Sequence, residues 1–401
     1  MSTVDWSTKG LWLPAAADVV GQDLFDGPVS WPVMVARRSA LDANIEQMAE
    51  YCARHDVDFA PHGKTTMAPA LFAAQLAAGA WGITVATPNQ ALAARRFGVP
   101  RVLLANEVLD PRVLRWAATD KDWEFLCYVD SLAGVDALRR GLAGGGRLRV
   151  LVEMGFDGGR TGCRTVDEAE LVAKAAAAVP GVEVAGVAGF EGMLPGPTEV
   201  AAFLTTIVQA GARIAPLCPY PLILSAGGSA FFDVVVEVLT APARTNGWRV
   251  VLRSGAVVSH DDGTYRETTP FNRMPEEGSL TAALEVWAQV LSTPEPDLAI
   301  LGAGKRDLPF DEGLPTAQLI RGRSGRDSAR VLAGAVVTAL NDQHGFLRFP
   351  PEAAGDLAAG TVLRLGLSHP CTAFDKWRLI PLIDDHTAAD PAVVDLVPTY
   401  F

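Results

Sequence analysis

The sequence predicts an α/β protein built from a (β/α)8 TIM-type barrel and a second, all-β domain. Eight short runs rich in Val, Ile and Leu recur between residues 57 and 255. Most are followed by Ala-rich segments with apolar residues at helical spacing. The runs are apolar throughout, as strands of a helix-covered parallel sheet are. Eight such units favour a closed barrel. An open, doubly wound sheet is the alternative, because periodicity does not establish closure.

The barrel elements follow one another in regular order. Strands are predicted over residues 57–60, 83–87, 101–107, 124–130, 148–154, 182–190, 221–226 and 249–255. Helices are predicted over residues 68–78, 89–97, 131–141, 165–179, 199–215 and 231–241. An additional strand over residues 31–36 precedes a helix over 41–55. It is one strand too many for an eight-stranded barrel, so we assign it to the β domain.

Helical signals become sparse after Gly255, and Pro, Gly and Asp punctuate the chain there. Strand-like segments take over at residues 283–290, 298–301, 330–340, 345–349 and 361–367. The predicted domains are therefore an N-terminal segment over residues 1–38 that joins the β domain, the barrel over 39–256, and a C-terminal β domain over 257–401.

Composition excludes several classes of protein. At 401 residues the chain is long enough for two domains. Its formal net charge of −12 argues against nucleic acid and anionic membrane surfaces as partners. No uninterrupted apolar run reaches the roughly 18 residues of a membrane span, and the first residues lack the features of a signal peptide. Five scattered cysteines do not suggest a disulfide scaffold. We expect a cytoplasmic enzyme that binds neither nucleic acid nor membrane.

One lysine stands where the first barrel strand ends. It lies in the segment Pro61-His62-Gly63-Lys64-Thr65-Thr66. Catalytic groups of barrels lie at the carboxyl ends of the strands, and a lysine fixed there suits Schiff-base chemistry. Most lysines are solvated surface charges, so Lys64 alone is a weak signal. His62, two residues earlier, either faces the same site or packs at the strand end, and we include it as a catalytic candidate.

Glycine-rich turns follow the last two predicted barrel strands. Gly227-Gly228-Ser229 follows the seventh strand, and Arg253-Ser254-Gly255-Ala256 ends the eighth. These are the usual positions of the phosphate site in barrel enzymes. Glycines let backbone N–H groups approach an anion, and the next helix adds its positive end. Tight turns explain most Gly-Gly-Ser segments, but this one lies opposite a strand-end lysine, which favours an anion site.

A second constellation, His369-Pro370-Cys371, lies near the end of the β domain. A histidine and a cysteine two residues apart in extended structure point to the same face. Both are ligands for zinc or a similar metal. A buried cysteine beside a turn histidine is the more frequent explanation of such a pair. If a metal binds, only two ligands are visible, so open positions would remain for water or substrate, as in catalytic sites.

Together these motifs resemble the D-serine dehydratase and D-threonine aldolase group of alanine racemase-like (fold type III) enzymes, which use pyridoxal 5′-phosphate (PLP). The resemblance extends from about residue 32 to 377. It rests on residues 61–66, 75–87, Arg160-Thr161-Gly162, Phe190-Glu191-Gly192, Gly227-Gly228-Ser229 and His369-Pro370-Cys371, in the family's order. It implies a PLP-binding barrel, a β domain, a homodimer and a divalent metal beside the cofactor. Zinc is the first expectation for that metal, with manganese or magnesium as alternatives.

The resemblance also implies roles for individual residues. Lys64 would form the Schiff base with PLP. Arg160 and Arg253 compete for the position beside the pyridine ring. The implied phosphate ligands are Gly227, Gly228, Ser229, Gly255 and Ala256, and the implied metal ligands are His369 and Cys371.

The implied activity is dehydration of a D-β-hydroxy amino acid, such as D-serine, D-threonine or 3-hydroxyaspartate, to a 2-oxo acid and ammonia. Lys64 would remove the α-proton, and the metal would activate the β-hydroxyl. Cys371 favours dehydration, because the family's aldolases tend to carry His-x-Asp. Phe190 replaces a frequent tyrosine, and Thr66 and Met67 also depart from the family pattern, so the substrate stays open.

Four alternatives remain. The same groups would support D-threonine aldolase-type retro-aldol cleavage. Racemisation would need a second base, which the sequence does not reveal. A non-catalytic PLP carrier would usually be a barrel alone. An ordinary barrel hydrolase would use Lys64 only as an electrostatic anchor.

Overall fold

The predicted barrel is confirmed. The computed structural model describes residues 4–13, 15, 17–321, 330–384, 388 and 390–401. Strand β1 (Val33–Arg37) and helix α1 (Arg38–His55) precede an eight-stranded parallel sheet. Its strands are β2 (Asp58–Phe59), β3 (Ile83–Val85), β4 (Arg101–Glu107), β5 (Glu124–Val129), β6 (Leu148–Met154), β7 (Val182–Gly189), β8 (Ile223–Ala226) and β9 (Arg249–Leu252).

Closure of the sheet is visible between its first two strands. The strand order is β2-β9-β8-β7-β6-β5-β4-β3, which leaves β2 and β3 at the two ends. A parallel bridge between His62 and Thr84 joins these ends. The Thr84 N–H donates to the Pro61 carbonyl at 2.9 Å. The carboxyl ends of all eight strands therefore meet around one barrel mouth.

Helices alternate with the barrel strands. They are α2 (Pro69–Ala77), α3 (Pro88–Arg96), α4 (Pro111–Thr119), α5 (Leu132–Gly141), α6 (Val166–Ala177), α7 (Pro197–Ile214) and α8 (Phe232–Asn246). Helix α4 was not predicted, although the Asp110 side chain caps it and Pro111 is its first residue. Local capping residues begin several other helices, such as Thr165, which forms a capping box with Glu168.

Helix α7 and the turn after it, Pro197–Leu217, are long and apolar enough to span a membrane by length and composition. Our search of the sequence for uninterrupted apolar runs of membrane-spanning length did not identify this segment. Its buried residues recur every three to four positions and include Val200, Phe203, Leu204 and Ile207. One apolar stripe of this kind is typical of a helix packed on a barrel sheet.

A second, mixed sheet contains β1 and the C-terminal strands. These are β10 (Leu284–Glu295), β11 (Leu298–Leu301), β12 (Thr316–Arg321), β13 (Arg330–Val331), β14 (Val336–Leu340), β15 (Gly345–Arg348), β16 (Val362–Gly366), β17 (Leu379–Ile383) and β18 (Val393–Pro398). Short helices α9 (Thr264–Thr268) and α10 (Cys371–Phe374) accompany them. Strand β1 pairs with β10 and β17, which confirms the assignment of the extra strand to this sheet.

The C-terminal strand predictions were incomplete. Strands β12, β17 and β18 were not predicted, and the single strand over residues 330–340 is instead β13 and β14. Pro381 lies inside β17, and a proline within an apolar run argues against a strand when only the sequence is considered.

The chain forms two compact units, each with its own core. Met1–Gln47, Thr65–Ala70 and Ala256–Phe401 form the β unit, whereas Met48–Lys64 and Leu71–Gly255 form the barrel unit. Buried side chains from alternate positions fill the barrel interior and include Leu103, Leu126, Leu151, Ile223 and Val251. The β-unit core is built around Phe25, Val33, Val35, Trp287 and Val362.

Candidate active site

A cavity of about 180 Å³ lies at the carboxyl ends of the barrel strands. It brings together five predicted site residues from the ends of three strands, β2, β8 and β9, and from the turn after β6. Its lining residues are His62, Lys64, Ala86, Ala105, Asn106, Tyr128, Glu153, Arg160, Thr161, Phe190, Gly228 and Arg253. The lining contains three cationic side chains, Lys64, Arg160 and Arg253, and one carboxyl group, Glu153. This excess of positive charge favours an anionic ligand.

The turn that presents Lys64 is tightly packed. Gly63 and Lys64 belong to a single 3-10 turn, Gly63–Thr65, directly after the first barrel strand. A β-carbon at Gly63 would approach the Phe72 ring to 2.7 Å and the Ile83 side chain to 2.8 Å. Only glycine fits this contact without displacing a neighbour. The half-buried Lys64 side chain is thus presented by a backbone that has little freedom to shift.

His62 faces the cavity as a neutral imidazole. Burial, followed by the positive charges of Lys64 and Arg253, lowers its pKa well below the usual value, and a hydrogen bond with the Thr84 backbone opposes this shift only in part. Its Nδ1 atom is buried without a hydrogen-bond partner among the described residues. A neutral ring with one unpartnered nitrogen suits contact with a bound polar group.

Two arginines line the same cavity in different environments. The buried Arg253 guanidinium donates to the Ser225 hydroxyl at 2.8 Å and to the Gly189 carbonyl at 2.7 Å. Arg160 is exposed, and its guanidinium lies 4.2 Å from the centre of the Phe190 ring. Arg253 is therefore held by two hydrogen bonds, whereas Arg160 is exposed and lies over the Phe190 ring, and both stay candidates for contact with the cofactor ring.

The Gly227-Gly228 turn already binds a carboxylate. The buried Glu191 side chain accepts the Gly227 N–H at 3.2 Å and also accepts the Gly228 N–H. We predicted these two N–H groups as phosphate donors, yet each one points to Glu191 in this structure. Gly227 has a φ of +95°, a conformation that glycine adopts readily. Glu191 therefore fixes the turn from the side of the protein.

The remaining predicted phosphate residues follow this turn or end the barrel. Ser229 is half-buried and lies three residues before helix α8. Gly255 is the last residue of the barrel unit, and Ala256 is the first residue of the following β-unit segment. These three residues do not line the 180 Å³ cavity, so their contact with phosphate stays a prediction.

His369 and Cys371 lie in the β unit, where a carboxylate holds the histidine. His369 Nδ1 lies 2.6 Å from Asp311 Oδ2, and the Thr372 hydroxyl donates to the other Asp311 oxygen at 2.7 Å. A carboxylate on Nδ1 directs Nε2 outward, as in metal-binding histidines. Burial disfavours the imidazolium, but Cys371 and Asp311 raise the pKa of His369 to about 9. This environment attracts positive charge.

The local geometry of this pair differs from our expectation. We predicted extended structure, but Cys371 begins the single-turn helix α10 and its thiol lies 3.3 Å from the Thr65 hydroxyl. Hydrogen bonds from residues 373 and 374 to the Pro370 carbonyl make this turn. The donor set fits a borderline metal. Within the described part of the chain, no cluster of three or more His, Cys, Asp or Glu side chains forms a complete site.

Sequence reasoning missed Tyr128 and Glu153, which line the cavity, and Glu107 at the end of a nearby strand. They occur at or near the ends of the consecutive strands β4, β5 and β6. The available signal was a polar side chain at the end of an apolar run, which is the position of functional residues in barrels.

Comparison with known proteins agrees with this architecture. Residues 37–233 match the family model described as "Alanine racemase, N-terminal domain", and residues 283–383 match "Putative serine dehydratase domain". A D-threonine aldolase of Arthrobacter sp is 29% identical over 95% of this chain and 96% of its own length. A D-threo-3-hydroxyaspartate dehydratase of Delftia sp. (strain HT23) is 28% identical over 85% of this chain and 90% of its own.

Solved structures share the fold. The crystal structure of D-threonine aldolase from Filomicrobium marinum has a TM-score of 0.77 at 23% identity, covering 95% of this chain and 96% of that one. A metal-free cysteine-to-alanine variant of D-threo-3-hydroxyaspartate dehydratase has a TM-score of 0.73 at 23% identity, covering 94% and 99%. A histidine-to-alanine variant of that dehydratase, substituted two positions earlier, has a TM-score of 0.74 at 23% identity, covering 95% and 97%.

The resemblance drawn from the motifs is therefore confirmed, since both domain types occur here in the same order on the same fold. The chain belongs to the alanine racemase-like PLP lyases that carry a serine dehydratase-type C-terminal domain.

Proposed function

We propose that this protein is a PLP- and divalent metal-dependent dehydratase of D-β-hydroxy amino acids, such as D-serine, D-threonine or 3-hydroxyaspartate. The products would be a 2-oxo acid and ammonia. The observation that carries the choice of dehydration is the pair His369 and Cys371, with Asp311 on the histidine Nδ1. In the related dehydratase, variants were made of a histidine and a cysteine with the same spacing, and the cysteine variant is described as metal-free.

The residues of the barrel cavity fit PLP. Lys64 provides the amine, while Arg160 and Arg253 provide positive charge within the same cavity. Because Glu191 already occupies the Gly227 and Gly228 N–H groups, phosphate would depend more on Ser229, Gly255 and Ala256. When bound, PLP supplies an electron sink for the negative charge that develops at the substrate Cα.

Lys64 would perform the proton transfer at Cα. Its Nζ atom would accept the α-proton as an amine, which is the role of a general base. His62 stays neutral beside it because burial and the cations around the cavity lower its pKa. His62 would therefore orient a bound group through its unpartnered nitrogen, without adding a further positive charge.

His369 Nε2 and Cys371 Sγ would hold the metal, with Asp311 fixing the orientation of the imidazole. The metal would supply Lewis acidity at the β-oxygen, which is needed because hydroxide is a poor leaving group. The Asp311–Thr372 hydrogen bond limits rotation of the carboxylate, so the histidine would be positioned before a metal arrives.

Incubation of the PLP- and zinc-loaded protein with D-threonine tests this proposal. Dehydration yields 2-oxobutanoate and ammonia, whereas retro-aldol cleavage yields glycine and acetaldehyde. We expect 2-oxobutanoate as the main product, and we expect Cys371→Ala to abolish its formation. Cys218→Ala, at another half-buried cysteine, serves as the matched control. Glycine and acetaldehyde as main products would overturn the proposal in favour of an aldolase.

Aldol cleavage is the second candidate function because the Arthrobacter relative is a D-threonine aldolase. Both reactions begin with the same substrate and the same lysine, and they differ in whether the C–O or the Cα–Cβ bond breaks. Manganese- and magnesium-loaded protein should be assayed in parallel, since the donor set admits more than one divalent metal.

A further inference from the structure

A buried polar cluster lies beside the cation-rich part of the barrel cavity. It consists of Glu107, Tyr128 and Glu153, at the ends of neighbouring strands β4, β5 and β6. Tyr128 is 3% exposed and Glu153 is 6% exposed, and both line the same cavity as Lys64. The Tyr128 hydroxyl, Glu153 Oε2 and both Glu107 carboxyl oxygens are buried without hydrogen-bond partners among the described residues. Buried polar atoms of this kind require a ligand, a water or a shared proton.

A β-bulge sets the position of Glu107. Leu104 pairs with Cys127, but the next paired residues are Glu107 and Tyr128, so β4 contains two extra residues at this point. Such irregularities turn side chains that regular pairing would point elsewhere. The backbone that carries Glu153 is also held, because the Glu153 backbone carbonyl accepts the Cys163 N–H at 2.8 Å.

The Glu153 carboxyl group lies close enough to Glu107 to influence its protonation. Burial and the charge of Glu153 raise the pKa of Glu107 to about 9, and Asp130 adds to the effect. Two carboxylates cannot hydrogen-bond to each other without a proton between them. A proton shared between the two carboxyl groups would keep Glu107 neutral and would supply the hydrogen bond that its buried oxygens otherwise lack.

We propose that Glu107 and Glu153 share one proton and form, with Tyr128, a proton-exchanging subsite for an acceptor nitrogen or oxygen of the ligand bound in the Lys64 cavity. In the exchange, the proton moves from a carboxyl oxygen to the acceptor, and both glutamates become carboxylates. Arg253, whose guanidinium lies 5.9 Å from the centre of the Tyr128 ring, offsets the additional negative charge. The cavity thus has a second proton-transfer group besides Lys64.

Infrared difference spectroscopy tests the shared proton directly. The choice of PLP as probe rests on the proposed function, but the spectrum of the ligand-free protein does not. We expect the carbonyl stretch of a protonated carboxylic acid at neutral pH, its loss in Glu107→Gln, and a shift when PLP is added to the wild-type protein. Glu183→Gln, at a glutamate paired with Arg147, should retain the band. Absence of the band from ligand-free wild-type protein would overturn the proposal.

Calorimetric titration with PLP tests the exchange. Measurements in buffers of different ionisation enthalpy give the number of protons taken up or released on binding. We expect this number to differ between wild type and Glu107→Gln by up to about one proton, with no change in Glu183→Gln. An equal number in wild type and Glu107→Gln would refute proton exchange.

Folding and function are kept separate in this design. Thermal denaturation shows whether Glu107→Gln folds. If it does not, the double variant Glu107→Gln/Glu153→Gln, which carries two neutral amides, is used in both measurements instead. Neither the infrared nor the calorimetric measurement depends on turnover. If no 2-oxobutanoate forms but the acid band is present, only the proposed function is contradicted. If 2-oxobutanoate forms but the acid band is missing, only the shared proton is contradicted.

Discussion

Lys64, Arg160 and Arg253 bring three cationic side chains to one cavity, and His62 shows the consequence. Its pKa falls because burial and these charges disfavour an imidazolium. In the β unit the opposite occurs at His369, where Cys371 and Asp311 raise the pKa of the imidazole despite burial. Residue type alone therefore does not decide whether a histidine is charged. The first site favours an anionic ligand, and the second favours a cation.

The Asp311 carboxylate should determine metal affinity through His369. In Asp311→Asn the hydrogen bond to Nδ1 would be weaker, and the imidazole would be less well oriented. We expect zinc affinity to fall by about 10- to 100-fold, measured by competition with a chromophoric chelator. Asp342→Asn, at an exposed aspartate paired with Arg306, is the matched control. Equal zinc affinities in the two variants would contradict this role for Asp311.

Glu107 should make stability depend on pH. Its pKa is raised from 4.5 to about 9 in the folded protein, so the folded state retains a proton that the unfolded state releases. The stability that this group contributes is complete below about pH 4.5 and is lost as the pH rises towards about 9. The resulting slope in the free energy of unfolding is at most about 1.4 kcal/mol per pH unit.

Urea denaturation at several pH values in this window measures that slope. We expect the free energy of unfolding of Glu107→Gln to decline less steeply with pH than that of the wild type. The substitution leaves Glu153 and Asp130, which face Glu107, in place, so the two proteins differ only at position 107. Identical slopes would show that Glu107 is ionised in the folded state at neutral pH.

At the scale of elements, tight turns at strand ends hold the candidate residues. The 3-10 turn after β2 carries Lys64, the bulge in β4 orients Glu107, and Glu191 fixes the Gly227-Gly228 turn after β8. The helix caps and the strand runs are local features, so the sequence predicts them well. The bulge and the Glu191 contact join residues that are distant in sequence, and no local pattern records them.

The close packing of Gly63 predicts a large effect of one methyl group. In Gly63→Ala the β-carbon would contact Phe72 and Ile83 at 2.7 and 2.8 Å. We expect a loss of about 1–3 kcal/mol in the free energy of unfolding, together with weaker PLP binding because the Lys64 turn must move. Gly144→Ala, where a β-carbon meets no atom within 4 Å, is the control in urea denaturation. Equal stabilities would show that the turn adapts without cost.

At the scale of the whole molecule, the chain joins two domain families with different chemistry. The Lys64 cavity is lined by residues of the barrel unit, whereas His369, Cys371 and Asp311 belong to the β unit. The proposed reaction requires both domains, because the barrel would supply PLP and Lys64 and the β unit would supply the metal ligands. The homodimer implied by the family resemblance stays a prediction.

Removal of the metal should separate the contribution of the metal from that of PLP. We expect EDTA treatment to abolish 2-oxobutanoate formation from D-threonine while the cofactor absorbance is retained, and we expect zinc to restore turnover. The reason is that the proposed metal ligands and the cavity residues belong to different units. A protein that retains PLP but shows no turnover with or without metal would instead be a carrier, and unchanged turnover after EDTA would exclude a catalytic metal.

The sequence alone determined the repeating β/α units, the lysine at the end of the first barrel strand, and the His-x-Cys pair. It also showed that the strand before the barrel belongs to the second sheet. These are set by hydrophobic periodicity and by chain order, which are local properties. The tertiary structure decided that the sheet closes through His62 and Thr84, that Glu191 occupies the predicted phosphate turn, and that Asp311 holds His369. It also placed Glu107 beside Glu153. Such contacts depend on which faces of distant segments meet, and burial then fixes the charge of each group.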